Sequence, residues 1–177
     1  MAESVEALLL DSFRFRFRGI KKLGDLTLEQ MSQDDLVWRP NDECNSAAVI
    51  LQHVHGNMLS RWTDFLTTDG DKSWRNRDGE FTEPTVVSRE DLLANWEAGW
   101  ACTLSAIDAL KEADLTKEIL IRGEPLGVID AVLRQIAHYS LHVGQLITIA
   151  KERRGADWKT MSIPRGESKL YTPSKRD

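Results

Sequence analysis

All four histidines of the chain lie in two short stretches: His53 and His55 in "LQHVHGN", His138 and His142 in "QIAHYSLHVGQL". Imidazole titrates near neutrality and, when neutral, ligates metals. In a helix, at about 100° per residue, side chains four positions apart differ by only about 40° in direction. His138 and His142 can therefore reach a single ion. His53 and His55 point about 160° apart and cannot share a site. Taken alone, an HxxxH pair is equally compatible with two histidines satisfied by hydrogen bonds. Tyr139, not Glu, follows the first of the pair, so the zincin motif and its built-in general base are absent.

Positioning these groups falls to four stretches in which apolar residues recur every three or four positions, over about residues 3–32, 45–66, 88–111 and 127–154. That pattern predicts amphipathic helices and an all-α, four-helix bundle. In the first stretch the stripe is Val5, Leu8, Leu9, Phe13, Phe17, Ile20 and Leu23; the alternation "FRFRFR" within it mimics a strand, which would leave those flanking residues without partners. Asn45 or Ser46 can cap the second helix and Ser88 the third, and Gly155 can stop the fourth. The polar segment "TTDGDKSWRNRDGEFTEPTVV" is too long for a simple helix hairpin and allows a crossover connection. A β-like run, Ile119 to Ile121, suggests a small hairpin before the last helix. The tail from residue 155 to 177 is polar, although Trp158, Met161 and Ile163 suggest that its first half packs on the body.

The choice between His53 and His55 depends on which face of the second helix meets the site. Its main stripe is Ala47, Ile50, Leu51, Val54, Met58, Trp62 and Phe65, with His55 at the edge, so periodicity alone favours His55 as the buried one. His53 lies opposite with Ser46, Val49, Asn57, Ser60 and Asp64. In the fourth helix the stripe Ile129, Val132, Leu133, Ile136, Val143, Ile147 and Ala150 leaves Ala131, Arg134, Gln135 and Gln145 on the histidine face. If a polar cleft runs between the second faces of the two helices, His53 is the partner.

Composition narrows the function classes. At 177 residues, 41% hydrophobic and 29% charged, the chain suits one soluble domain over 1–177 with a real core. A net charge of −5, with acids interleaved among the Lys and Arg, speaks against nucleic acid; "RFRFRGIKK" is the one basic cluster. Cys44 and Cys102 form neither a zinc spacing nor a disulfide framework. No apolar run approaches the roughly 18–20 residues of a spanning helix, and no signal-like core opens the chain. The expectation is a cytoplasmic protein without membrane or nucleic-acid partners.

"LLLDSFRFRF", "NSAAVILQHVHGNMLSRW" and above all "AHYSLHVGQL" resemble the DinB-like (YfiT-like) superfamily of four-helix metal-binding proteins, over nearly the whole chain. "TDGDKSWRNRDGEF" and "SIPRGESKLY" resemble a subgroup of it whose function is uncharacterised. The resemblance implies a metal triad of one histidine on the second helix, matching His53, and the HxxxH pair, matching His138 and His142. It implies a bundle with a long crossover and, together with apolar flanks on the first and third helices, a homodimer. Relatives in the superfamily include thiol S-transferases and isomerases that use a low-molecular-weight thiol, and proteins labelled as hydrolases.

Three neutral imidazoles leave a fourth position open, as in catalytic rather than structural sites. Nitrogen ligands suit zinc or nickel, and such an ion can activate a thiol or a water. The resemblance therefore implies first a thiol S-transferase acting on a small-molecule substrate. Asn57 and Arg61, one and two turns beyond His53, are the candidates to orient that substrate, with Arg75, Arg77 and Arg134 as further anion-binding groups or simply solvated charges. The alternative, a hydrolase, calls for a nearby carboxylate base, for which Asp64 is the nearest but distant candidate. The third reading is a non-catalytic, metal-stabilised dimeric bundle. Trp62, Trp96 and Trp100 fit core or interface positions, Trp74 and Trp158 are placed to pin the loop and tail over the cleft, and Tyr139 and Cys44 read as packing residues.

Overall fold

A computed structural model describes residues 3–86 and 88–170 of the chain; the last part of the polar tail, 171–177, lies outside them. The protein is mostly helical: α1 (Val5–Glu29), a short α2 (Gln33–Val37), α3 (Ala47–Trp62), α4 (Arg89–Ala109) and α5 (Val128–Arg154), with strands β1 (Glu118–Ile121) and β2 (Glu124–Gly127) paired antiparallel ahead of α5. No described helix is long and apolar enough to cross a membrane.

Helix ends follow local chemistry. Ser4, Ser46 and Ser88 each accept a hydrogen bond from the backbone N–H three residues on, which satisfies one of the free donors at a helix start. Gly155 ends α5 with φ of 52°, a left-handed turn that costs a side-chain-bearing residue more. The first predicted helix is broken after Glu29, because Ser32 and Asp35 close a capping box that starts α2.

Packing sets which stripes are buried. α3 lies against α4, α1 against α5, and contacts of α1 with α4 and α3 with α5 close the arrangement. Being enclosed, α3 buries residues nearly all round, including His53, Asn57, Ser60 and Arg61, while His55 is half-buried. Periodicity favoured His55 because it assumes one wet face, which this helix lacks. On α1 the inward line is Leu10, Phe13, Phe17, Thr27 and Leu28; Val5, Leu8 and Leu23, expected in the stripe, are 68%, 48% and 39% exposed. On α5 the buried face includes Ala131, Gln135 and Tyr139, so the histidines border the core face rather than oppose it, and Leu133 is 49% exposed.

The core centres on aromatic edges: Phe17 on Trp62, Trp96 on Trp100, and Trp100 on Tyr139, in the edge-to-face arrangement that ring quadrupoles favour. The basic cluster of α1 is partly neutralised by acids of α1 and α4. Arg18 pairs with Asp108 at 2.7 Å, and Lys21 with Asp25 and Glu97. Trp158 packs by Lys151 at the end of α5, and Trp74 is 58% exposed. Neither lines the histidine cavity, in contrast to the expectation that they cover it.

Candidate metal centre and its cavity

His53 on α3 and His138 and His142 on α5 turn their Nε2 atoms toward one another. Nε2 of His138 lies 3.2 Å from that of His53 and 3.1 Å from that of His142, and one nitrogen from each ring falls within 4.8 Å of the other two. With metal–nitrogen bonds of about 2.0–2.1 Å, ligand nitrogens of a tetrahedral zinc site stand about 3.3 Å apart. The spacing thus fits a shared ion.

Two of the three outer ring nitrogens show the same preparation, while His138 Nδ1 is buried without a partner. His53 Nδ1 is 2.9 Å from Glu80 Oε2 and His142 Nδ1 is 2.8 Å from Gln145 Oε1. An oxygen acceptor at Nδ1 places the proton there and leaves the Nε2 lone pair facing inward. Two such rings offer His138 two acceptors, while its own Nε2 holds at most one proton. A cation resolves that convergence. Burial, reinforced by His142 and His53, lowers the His138 pKa to about 3, and burial also lowers that of His142. The imidazoles of His138 and His142 are therefore held in the neutral form that ligates.

Glu80 was not legible from sequence. It sits in a single 3-10 turn, Gly79–Phe81, within the long loop. Gln52 Nε2 donates to the Gly79 and Glu80 carbonyls at 3.2 and 3.0 Å and ties that turn to α3. A side chain at Gly56 would collide with the Glu80 carboxylate, so the glycine in "HVHGN" opens the way to His53. Arg75 donates to both Glu80 oxygens, from Nε at 2.7 Å and Nη2 at 2.8 Å. Burial works to raise the Glu80 pKa, but the bonds from Arg75 and His53 outweigh it and hold the carboxylate ionised. Phe81, from the same turn, lies over the His53 ring with centroids 4.5 Å apart. Asp64, the sequence candidate for a base, is exposed and outside the cavity.

The chain matches, over residues 4–167, the family described as "Protein of unknown function (DUF1572)". It belongs to that family. No curated protein matches it.

In this DUF1572 chain a cavity of about 700 Å³ opens beside the histidines, lined among others by His53, His138, Asn57, Arg61 and Arg134. His142 completes the triad without lining it. Four elements make the walls: α3, α5, the β1–β2 hairpin and the long loop that carries Arg75 and Arg77. The hairpin is pinned by Asp69, which accepts from the backbone N–H of Arg122 at 2.9 Å and Gly123 at 2.7 Å; both turn residues have positive φ, 58° and 75°, as two-residue hairpin loops require. Arg75, expected as an anion binder, is engaged by Glu80, whereas Arg77 and Arg134 have no carboxylate partner among the described residues. Cys44 and Cys102 are free thiols, half-buried and outside the cavity.

Proposed function

We propose that the protein is a metal-dependent enzyme of the DinB-like kind, its four long helices forming the expected four-helix bundle, and that it works as a thiol S-transferase on a small molecule. His53, His138 and His142 hold one divalent cation, zinc or nickel. The observation that carries the reading is the convergence of three Nε2 atoms with the Nδ1 atoms of His53 and His142 hydrogen-bonded to oxygen. Such an ion lowers the pKa of a coordinated thiol or water. Around it, Glu80 and Gln145 keep two imidazoles in the ligating tautomer, and Phe81 covers the His53 ring. Asn57 and Arg61 orient the substrate in the cavity, and a low-molecular-weight thiol is the co-substrate. Hydrolysis is less well supported, since Glu80 is tied by Arg75 and His53 and no other carboxylate touches the triad among the described residues. Exposed Val5, Leu8 and Leu141 support a homodimer through α1 or α5, which sedimentation velocity tests.

The deciding experiment is metal content by elemental mass spectrometry. Wild type and His55→Ala are expected to carry one equivalent, and His53→Ala and His138→Ala none. A wild type that cannot be loaded sinks the enzyme reading.

A further inference from the structure

The cavity carries a charge that the rest of the molecule does not share. The chain has a net charge of −5, yet Arg61, Arg75, Arg77, Arg122 and Arg134 all line this one space. Glu80 occupies Arg75, and Asp71 holds Arg122 at 3.2 Å while standing 3.8 Å from Arg61. Glu124 is the remaining acid of the lining. Arg134 is left over and Arg77 meets only the Phe81 ring among the described residues, while Arg61, only 7% exposed, donates from Nη1 to the Gly70 carbonyl but has a buried Nε without any partner. A buried guanidinium N–H left unmatched is costly unless something else receives it.

A second, independent chain of bonds aims another donor into the same space. The Trp62 indole N–H can only donate, and it reaches the Tyr139 hydroxyl at 2.9 Å. The Tyr139 O–H then donates to Asn57 Oδ1 at 3.0 Å. Burial pushes the Tyr139 pKa up, so the hydroxyl keeps its proton. With Oδ1 engaged from inside, the amide NH₂ of Asn57 is the end left at the cavity wall. Against these donors stand the Glu124 carboxylate and Gln135 Oε1, which is buried and unpartnered.

We infer that the cavity binds its small molecule through an anionic group, a carboxylate or a phosphate, received by Arg61 and Arg134 with the Asn57 amide donating to an adjoining oxygen. Guanidinium forks match both oxyanions. The ligand's other end then lies against His53 and His138, and for the role of that end alone the inference rests on the function proposed above. The anion subsite itself needs no metal.

Titration calorimetry of the full chain with succinate, inorganic phosphate and the neutral analogue succinamide, before and after chelation, tests it. Succinate or phosphate is expected to bind in both states and succinamide in neither; the tighter anion names the oxyanion class. Arg61→Gln and Arg134→Gln should each weaken that binding by about tenfold or more. Because loss of buried Arg61 can impair folding, exposed Arg134 carries the decision. Absence of anion binding, equal binding of succinamide, or binding indifferent to Arg134→Gln overturns the inference. Arginine-dependent binding in a chain that takes up no metal leaves this subsite standing and removes the metal enzyme; metal uptake without anion binding does the reverse.

Discussion

Two buried carboxylates of this molecule are paired with arginines, and the pairs end differently. Asp35, 4% exposed, accepts from Arg153 Nε at 2.9 Å and from the Ser32 backbone N–H at 2.8 Å. Glu80, 8% exposed, accepts from Arg75 and then from an imidazole. In each case burial opposes the charge, and hydrogen bonds from arginine and a second donor outweigh it, so both carboxylates titrate below their ordinary values. At Asp35 the bonds terminate on backbone and lock α2 to α5. At Glu80 they continue through His53 to a lone pair facing two other rings. Burial of an ion pair therefore marks no function here; what lies beyond its last donor does.

The sharpest way to break the comparison is Arg75→Leu. Removing one partner of a buried pair typically costs about 3–5 kcal/mol; chemical denaturation should show a loss of that order together with loss of metal uptake. Glu80→Gln keeps the shape but weakens the acceptor for His53. Metal affinity, measured by competition with a chromogenic chelator, should fall about 10–100-fold, while Asp35→Asn leaves it unchanged. Tyr139→Phe strands the Trp62 N–H and frees the Asn57 amide, for a loss of about 1–3 kcal/mol and weaker anion binding without loss of metal. The smallest effect is in acid. The folded Asp35 pKa lies below the ordinary 3.8, so the unfolded chain binds the extra proton first. Its stabilisation is complete above 3.8 and is lost as pH falls through the lower folded value. Asp35→Asn should be less stable than wild type at pH 6 by about 1–2 kcal/mol, with the gap closing toward pH 3. A gap that persists in acid would mean that Arg153 is not what Asp35 contributes.

Much of the scaffold was readable along the chain, because capping and 3.6-residue periodicity are local. Ser46, Ser88 and Gly155 stand where expected, and the hairpin follows the β-like run at Ile119. The stripes were less readable. Val5 and Leu8 point outward although they keep the helical spacing, since several apolar lines coexist on α1 and only the neighbours choose among them. Trp74 was expected to cover the cleft and is exposed, because aromatic size says nothing about where a loop turns.

The same division runs through the site. His138 and His142 were paired by sequence alone, since four residues of helix bring two side chains to one side whatever surrounds them. The length of the helices, the acidic balance and the absence of a zincin glutamate were equally local facts. Periodicity alone favoured His55 and the family resemblance pointed to His53; the burial of His53, the arrival of Glu80 and Arg75 from a loop without periodicity, and the gathering of arginines from α3, α5, the loop and the hairpin belong to tertiary structure. They depend on which face of α3 meets α5, and on a gap at Gly56 that admits a carboxylate. Contacts between residues 27 and 85 positions apart leave no period in the chain, and only packing brings them together.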